Sequence, residues 1–187
     1  MVGLPGETPE LAQLRVWAPT YRREAWARAL ADCRINDHTL AEALAATFFL
    51  HERPARHAVF PDAEPTLSAL RRTHRLGLIT NGLTDLQRAK LGASGLGTYF
   101  EVAVVSTEVG IGNPDPRIFT HVLSALGAEP SSATMVGDSL ERHVASAQAA
   151  GIKGVWLNRS RQPCPAGVSP DAEVWTLTDL LVPQEQE

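Results

Sequence analysis

The sequence predicts an α/β fold, a parallel sheet with flanking helices, preceded by a small helical domain. Three observations carry that prediction. Short apolar runs rich in β-branched residues and bounded by glycine recur from residue 76 onward. Amphipathic stretches of helical period separate them, and strand alternating with helix is the pattern of a parallel sheet with right-handed crossovers. Between residues 8 and 56 no strand signal interrupts a helical pattern. The domains expected are therefore 1–58, helical, and 59–187, α/β.

Taken in order, "YRREAWARALADC" places Ala25, Trp26, Ala29, Leu30 and Cys33 on one helical stripe. "DHTLAEALAATFFLHE" opens with Asp37 as N-cap and repeats Leu40, Leu44 and Phe48 at helical spacing. Pro19 and Pro54 bracket this pair. Beyond them, "AEPTLSALRRT", "LTDLQRAKLGASG", "DPRIFTHVLSALG" and "SLERHVASAQAAG" read as helices. They alternate with strands "LGLIT" (76–80), "VAVVS" (102–106), "TMVGD" (134–138) and "GVWLN" (154–158), with "EVWTL" (173–177) as a fifth. The strands are almost continuously apolar, as expected where helices cover both faces of a sheet. "SRQPCPAGVSPD" is a proline-rich loop and "VPQEQE" a frayed tail.

Composition narrows the function classes. The 187 residues carry 17 Lys and Arg against 21 Asp and Glu, a net charge of −4, with no basic block to attract nucleic acid. Cys33 and Cys164 are far apart and form no C-x-x-C, so reduced, incidental thiols are expected rather than a disulfide scaffold or a zinc site. "LAEALAATFFL" is too short to span a bilayer, and "MVGLPGETPE" lacks the order of a signal peptide. These features predict a cytoplasmic protein with neither membrane nor nucleic-acid partners; oligomeric state is left open. His38, His51, His57, His74 and His121 show no ligand spacing, and Trp17, Trp26, Trp156 and Trp175 are expected to pack. Gly110-x-Gly112 lacks the third glycine of a dinucleotide fingerprint.

Ligands of open α/β sheets bind beyond the carboxyl ends of the strands. Those ends carry Thr80-Asn81-Gly82, Ser106-Thr107-Glu108, Gly137-Asp138-Ser139 and Asn158-Arg159. Each has a plain structural reading. Thr80 ends a strand before an Asn-Gly turn. Asp115 and Pro116 suit the N-cap and first position of a helix, and Asp138-x-x-Glu141 has the spacing of a capping box.

"LGLITNG", "STEVGIGNPDPRIF" and "MVGDSLERHVASAQAAGI", in this order and spacing, resemble the second, third and fourth motifs of the haloacid dehalogenase superfamily. "FPDAEPTLSALR" matches the re-entry into the core after a helical, C1-type cap. The resemblance covers essentially the whole chain. It implies a Rossmann-like core and a phosphatase-type reaction on a small phosphorylated metabolite, in which an aspartate attacks phosphorus while Mg²⁺ spreads the charge. By resemblance Thr80, with Asn81 and Gly82, holds the phosphoryl oxygens, and Asp138 binds the metal. Asn113 stands where the family has a lysine, and His143 where it has a second acid. Asparagine donates a hydrogen bond but carries no charge. Loss of one such electrostatic contact costs ~10²–10³ in rate. Imidazole suits Zn²⁺, Ni²⁺ or Cu²⁺ better than Mg²⁺, so His143 reads as a lost acid rather than a gained ligand.

The nucleophile of the family lies on a D-x-D strand between the strands equivalent to "LGLIT" and "TMVGD", and the sequence contains no D-x-D. A gap there leaves on the order of five backbone groups unpaired, each costing roughly 1–3 kcal/mol if buried. Either the two strands close up, another segment fills the slot, or the natural product begins upstream of Met1; the last is expected. The resemblance thus implies a phosphatase-type hydrolase that is inactive or severely impaired in this form. Mg²⁺ binding is expected to be weak or absent. A non-catalytic binding or regulatory protein of the same fold is the alternative, and a haloacid dehalogenase a weaker one.

Overall fold

The computed structural model describes residues 8–49 and 57–182. The chain divides into two compact units, one of Met1–Ala58, Thr80–Gly97 and Val105–Ile111, the other of Val59–Ile79, Thr98–Val104 and Gly112–Glu187.

In the first unit, helix α1 (Pro9–Asp32) packs against α2 (His38–Thr47). Proline interrupts a helix by removing an N–H and clashing with the preceding turn, at roughly 3 kcal/mol. The sequence accordingly placed a boundary at Pro19, yet α1 runs through it. Pro19 is exposed, while Ala18 and Arg22 on either side are buried. The N-terminal end is tied down where Thr8 N–H donates to Gly110 O at 3.1 Å. Anchors on both sides thus hold the helix across the break. Asp37 does cap α2, accepting from Leu40 N–H at 2.9 Å. The packed positions of α2 are Ala41 and Ala45, however, with Leu40 on the exposed side. Small side chains let the helix backbones approach, which the spacing of the leucines alone could not indicate. Trp26 meets Phe48 edge-on at 5.7 Å.

Among the described residues, α3 (Ala63–Leu70) precedes β1 (Gly77–Thr80), α4 (Thr84–Ser94) precedes β2 (Val102–Val105), and a short α5 (Ser106–Val109) follows it. Then come α6 (Arg117–Leu126), β3 (Thr134–Gly137), a π-helical turn (Leu140–Ala145) leading into α7 (Ser146–Ala149), β4 (Lys153–Leu157) and β5 (Ala172–Val174). All five expected strands are present, the first four within a residue or two of their expected ends and the fifth shorter than expected. The strands, apart from the end residues Thr80 and Val105, belong to the second unit. They form two sheets. β1 pairs with β2, and β3, β4 and β5 form a parallel sheet in that order, with Gly137 opposite Trp156 and Val155 opposite Ala172. The alternative in which β1 and β3 close up on each other is not met, since they belong to different sheets.

The core of this unit is built on α6, whose Ile118, Phe119, Val122, Leu123 and Leu126 form one buried face. The helix starts one residue later than expected, with Pro116 rather than Asp115 at its N-cap, and Asp115, two residues before its first residue, accepts from Arg117 N–H at 3.0 Å. Trp156 is buried on β4, but Trp17 and Trp175 are about half exposed, against the expectation that they pack. Each has a flat partner instead: Trp17 stacks on Tyr21 at 4.5 Å, and the Arg161 guanidinium lies 4.4 Å over Trp175. Cys33, Cys164, His38, His57, His74 and His121 are exposed. Pro54, His51 and the tail from Pro183 lie outside the described residues. No helix among the described residues is long and apolar enough to cross a membrane.

Candidate functional site

The residues singled out in the sequence fall into two local structures, one in each unit. In the first unit the Thr80-Asn81-Gly82 turn leads from β1 into α4. Gly82 has φ +141°, in the region glycine favours, and a Cβ there would lie 2.6 Å from Gln87 Nε2. Ser106 and Thr107, both buried, fix this turn: Gly82 N–H donates to Ser106 Oγ at 3.0 Å, and Thr107 Oγ1 donates to Gly82 O at 2.7 Å. Thr84 Oγ1 lies 3.0 Å from Thr107 Oγ1, and Gln87 Nε2 donates to Asn81 O at 2.9 Å. In the sequence, Ser106 and Thr107 mark only the end of a strand. Their signal was a pair of hydroxyls directly after an apolar strand, where burial demands hydrogen-bond partners. The backbone of the turn is therefore preorganised, with one of its N–H groups already committed to Ser106.

In the second unit Asp138 follows β3. Its backbone carbonyl accepts from Trp156 Nε1 at 3.1 Å, so β4 fixes the residue's position. Its carboxylate does not cap the following helix, contrary to the capping-box reading. Ser139 does so instead, accepting from Arg142 N–H at 3.3 Å. The side chain of Asp138 is thereby released and stays largely exposed, with Oδ1 3.2 Å from His143 Nδ1. The π-helical turn places His143 there, and such turns concentrate at functional sites. Ser139 N–H also points at His143 Nδ1, at 3.3 Å. One nitrogen cannot accept from Ser139 and donate to Asp138 together, so the tautomer decides which contact forms. Burial pushes the imidazole below its ordinary value near 6.5, against the opposing pull of the Asp138 carboxylate, which favours the neutral ring at pH 7.

Gly137 is required by this close approach. A Cβ at that position would lie 2.6 Å from both Cβ and Nδ1 of His143. Gly137→Ala is expected to push His143 away from Asp138 and to cost about 1–2 kcal/mol, as overpacking does where one side chain can move. Thermal denaturation measures the cost, and the histidine's NMR titration reports the displacement.

Asn113, also in the second unit, is 8% exposed and precedes a cis peptide bond to Pro114. Pro114 O accepts from Ser146 Oγ at 2.7 Å, which fastens the loop to the start of α7. Asn158 and Arg159, at the end of β4, are engaged structurally. Asn158 Nδ2 donates to Gln162 O and to Glu173, and Arg159 pairs with Asp62 at 2.9 Å.

Mg²⁺ takes oxygen ligands in near-octahedral array, through one or two carboxylates and several waters. At the end of β3 the donors are one carboxylate and one imidazole already in contact with it. No group of three His, Cys, Asp or Glu able to hold a metal occurs among the described residues. This donor set does not fit the ion.

Comparison with known proteins gives the chain its relatives. A phosphoserine phosphatase from Thermus thermophilus is 40% identical over 176 residues, spanning 94% of this chain and 70% of that one. The pyrimidine 5'-nucleotidase YjjG of Escherichia coli (strain K12) is 33% identical over 160 residues, spanning 85% and 66% respectively. A solved 2-haloacid dehalogenase from Pseudomonas syringae pv. Tomato DC3000 superposes with a TM-score of 0.72 at 34% identity, covering 92% of this chain and 73% of that one. Residues 10–151 match the family model of the haloacid dehalogenase-like hydrolases, and the protein belongs to that family.

Proposed function

We propose that this chain is a phosphatase-type member of the family, with residues 1–58 as its helical cap domain and 59–187 as its α/β core. It recognises a small phosphomonoester in the cytoplasm and does not turn it over in the 187-residue form. The names of the two relatives above support the substrate class. The observation that carries the loss of turnover is the contact of His143 Nδ1 with Asp138 Oδ1, where the resemblance expects two acids. A neutral imidazole beside the carboxylate adds no anionic ligand, so Mg²⁺ binds weakly or not at all. Asn113, in place of a lysine, supplies no positive charge to a developing phosphoryl transition state.

Purified protein incubated with p-nitrophenyl phosphate, phosphoserine or a pyrimidine nucleoside monophosphate in Mg²⁺ is expected to release no phosphate above the buffer rate. Release that disappears in Asp138→Asn would refute the reading. A second reading, dehalogenation, is supported by the dehalogenase neighbour and needs no metal. Chloride release from 2-chloropropionate in the same samples separates the two.

A further inference from the structure

We propose that Arg22 is a specificity residue, which takes the carboxylate of a small phosphorylated carboxylic acid in exchange for its present partner, Asp85. The inference names the substrate class of the phosphatase reading and rests on it, since it needs the Thr80-Asn81-Gly82 turn to hold a phosphoryl group. Every residue concerned lies in the first unit.

Four observations carry it. First, Arg22 is a buried arginine on α1, and arginine is almost never buried unless it is paired. Second, its partner is a carboxylate held by the two arms of the fork: Nη1 donates to Asp85 Oδ2 at 2.5 Å and Nη2 to Oδ1 at 3.1 Å. Third, the two members are held unequally. The Arg22 side chain is 10% exposed and its guanidinium lies 5.0 Å over the Phe49 ring, whereas the Asp85 side chain is 48% exposed. Burial and the aromatic face thus fix the guanidinium, while the carboxylate meets water and can turn out into it. Fourth, Asp85 stands in the first turn of α4, three residues beyond Gly82. Three residues of chain span at most ~10 Å, so one small molecule can reach from the turn to the pair.

The chemistry of the pair selects the ligand. A planar guanidinium matches a carboxylate in two parallel hydrogen bonds, and Asp85 already holds Arg22 in that geometry. A neutral group in place of Asp85 would strand the buried charge of Arg22, which is strongly unfavourable. A second phosphate dianion would add negative charge close to the phosphoryl group at the turn. Exchange of one carboxylate for another does neither: the charge beside Arg22 is unchanged and Asp85 is released to water. Asp85 thus stands in for the carboxylate of the substrate.

The test uses the whole 187-residue chain with O-phosphoserine and O-phosphoethanolamine, which differ only in the carboxylate. Affinities are measured by calorimetry, and the side-chain NMR signal of Arg22 is followed in protein with isotope-labelled arginine. O-Phosphoserine is expected to bind roughly tenfold more tightly and to shift the Arg22 Nε signal, which O-phosphoethanolamine leaves in place. Asp85→Asn removes the competing carboxylate and is expected to widen the gap between the two ligands. Arg22→Lys cannot form the fork and is expected to close it. If a variant does not fold, the two affinities of the parent and its Arg22 signal decide. Equal affinities in the parent, or a preference that survives Arg22→Lys, overturn the proposal and leave the phosphatase reading standing. Binding of neither ligand overturns both.

Discussion

Phe119→Ala is expected to destabilise the second unit by about 3–5 kcal/mol, the range for removing a buried phenylalanine ring. Domains of this kind have about 5–15 kcal/mol in total, so the substitution removes a large part of the stability. For a chain of this length it corresponds to a drop of roughly 10 °C in Tm. Phe119 is 2% exposed and lies on the buried face of α6, the helix that covers β1. Two contributions make up the cost. The transfer of the ring out of water is lost in any case, whereas the cavity contribution depends on whether the neighbours collapse. Phe119 also borders a cleft between β1 and β3, so the vacated volume opens into existing space. That favours the lower half of the range if water enters and the upper half if the site stays dry. Phe119→Leu keeps most of the apolar contact and is expected to cost less than half as much. Equal losses for the two variants in urea titrations would show that the ring is not packed as described.

The pattern of elements was legible because it rests on local signals. Glycine-bounded apolar runs such as "GLIT" and "TMVG" announce strands wherever they lie, and the face of α6 is written in its own spacing. The pairing of Asp138 with His143 was also within reach, since the two are separated by less than two helical turns. Its geometry was not. The π-helical turn and the transfer of capping from Asp138 to Ser139 arise from competition among adjacent side chains for the same amides. Spacing rules rank such competitors equally. Pro19 misled for a related reason: its local cost is real, but anchors outside the helix outweigh it. The anchoring of Gly82 by Ser106 and Thr107 joins segments 24 and 25 residues apart, and periodicity carries no information about such contacts.

The same limit hid the tie between Asp62 and Arg159, whose loss is the other large effect expected. Asp62 precedes α3 and accepts from Arg159 Nη1 and Nη2, each at 2.9 Å, and from Leu177 N–H at 2.8 Å. One carboxylate thus ties the start of α3, the end of β4 and the segment after β5. The Arg159 guanidinium also covers the Phe60 ring at 4.1 Å. Removing one partner of a buried ion pair costs about 3–5 kcal/mol because the other charge is stranded. The side chains here remain 26% and 16% exposed, so water screens part of that cost, and about 2–3 kcal/mol is expected for Arg159→Met. The guanidinium hydrogen bonds hold the Asp62 carboxyl below its usual value of 3.8. A carboxyl depressed by folding adds stability that is present above its ordinary value of 3.8 and is lost as pH falls through the folded value. The difference between the parent and Arg159→Met is therefore expected to be constant from about pH 5 to 7 and to shrink as pH drops below that range. Denaturant titrations at about pH 7 and about pH 3 measure it. A difference that does not shrink in acid would show that Arg159 acts through its packing on Phe60 rather than through its charge on Asp62.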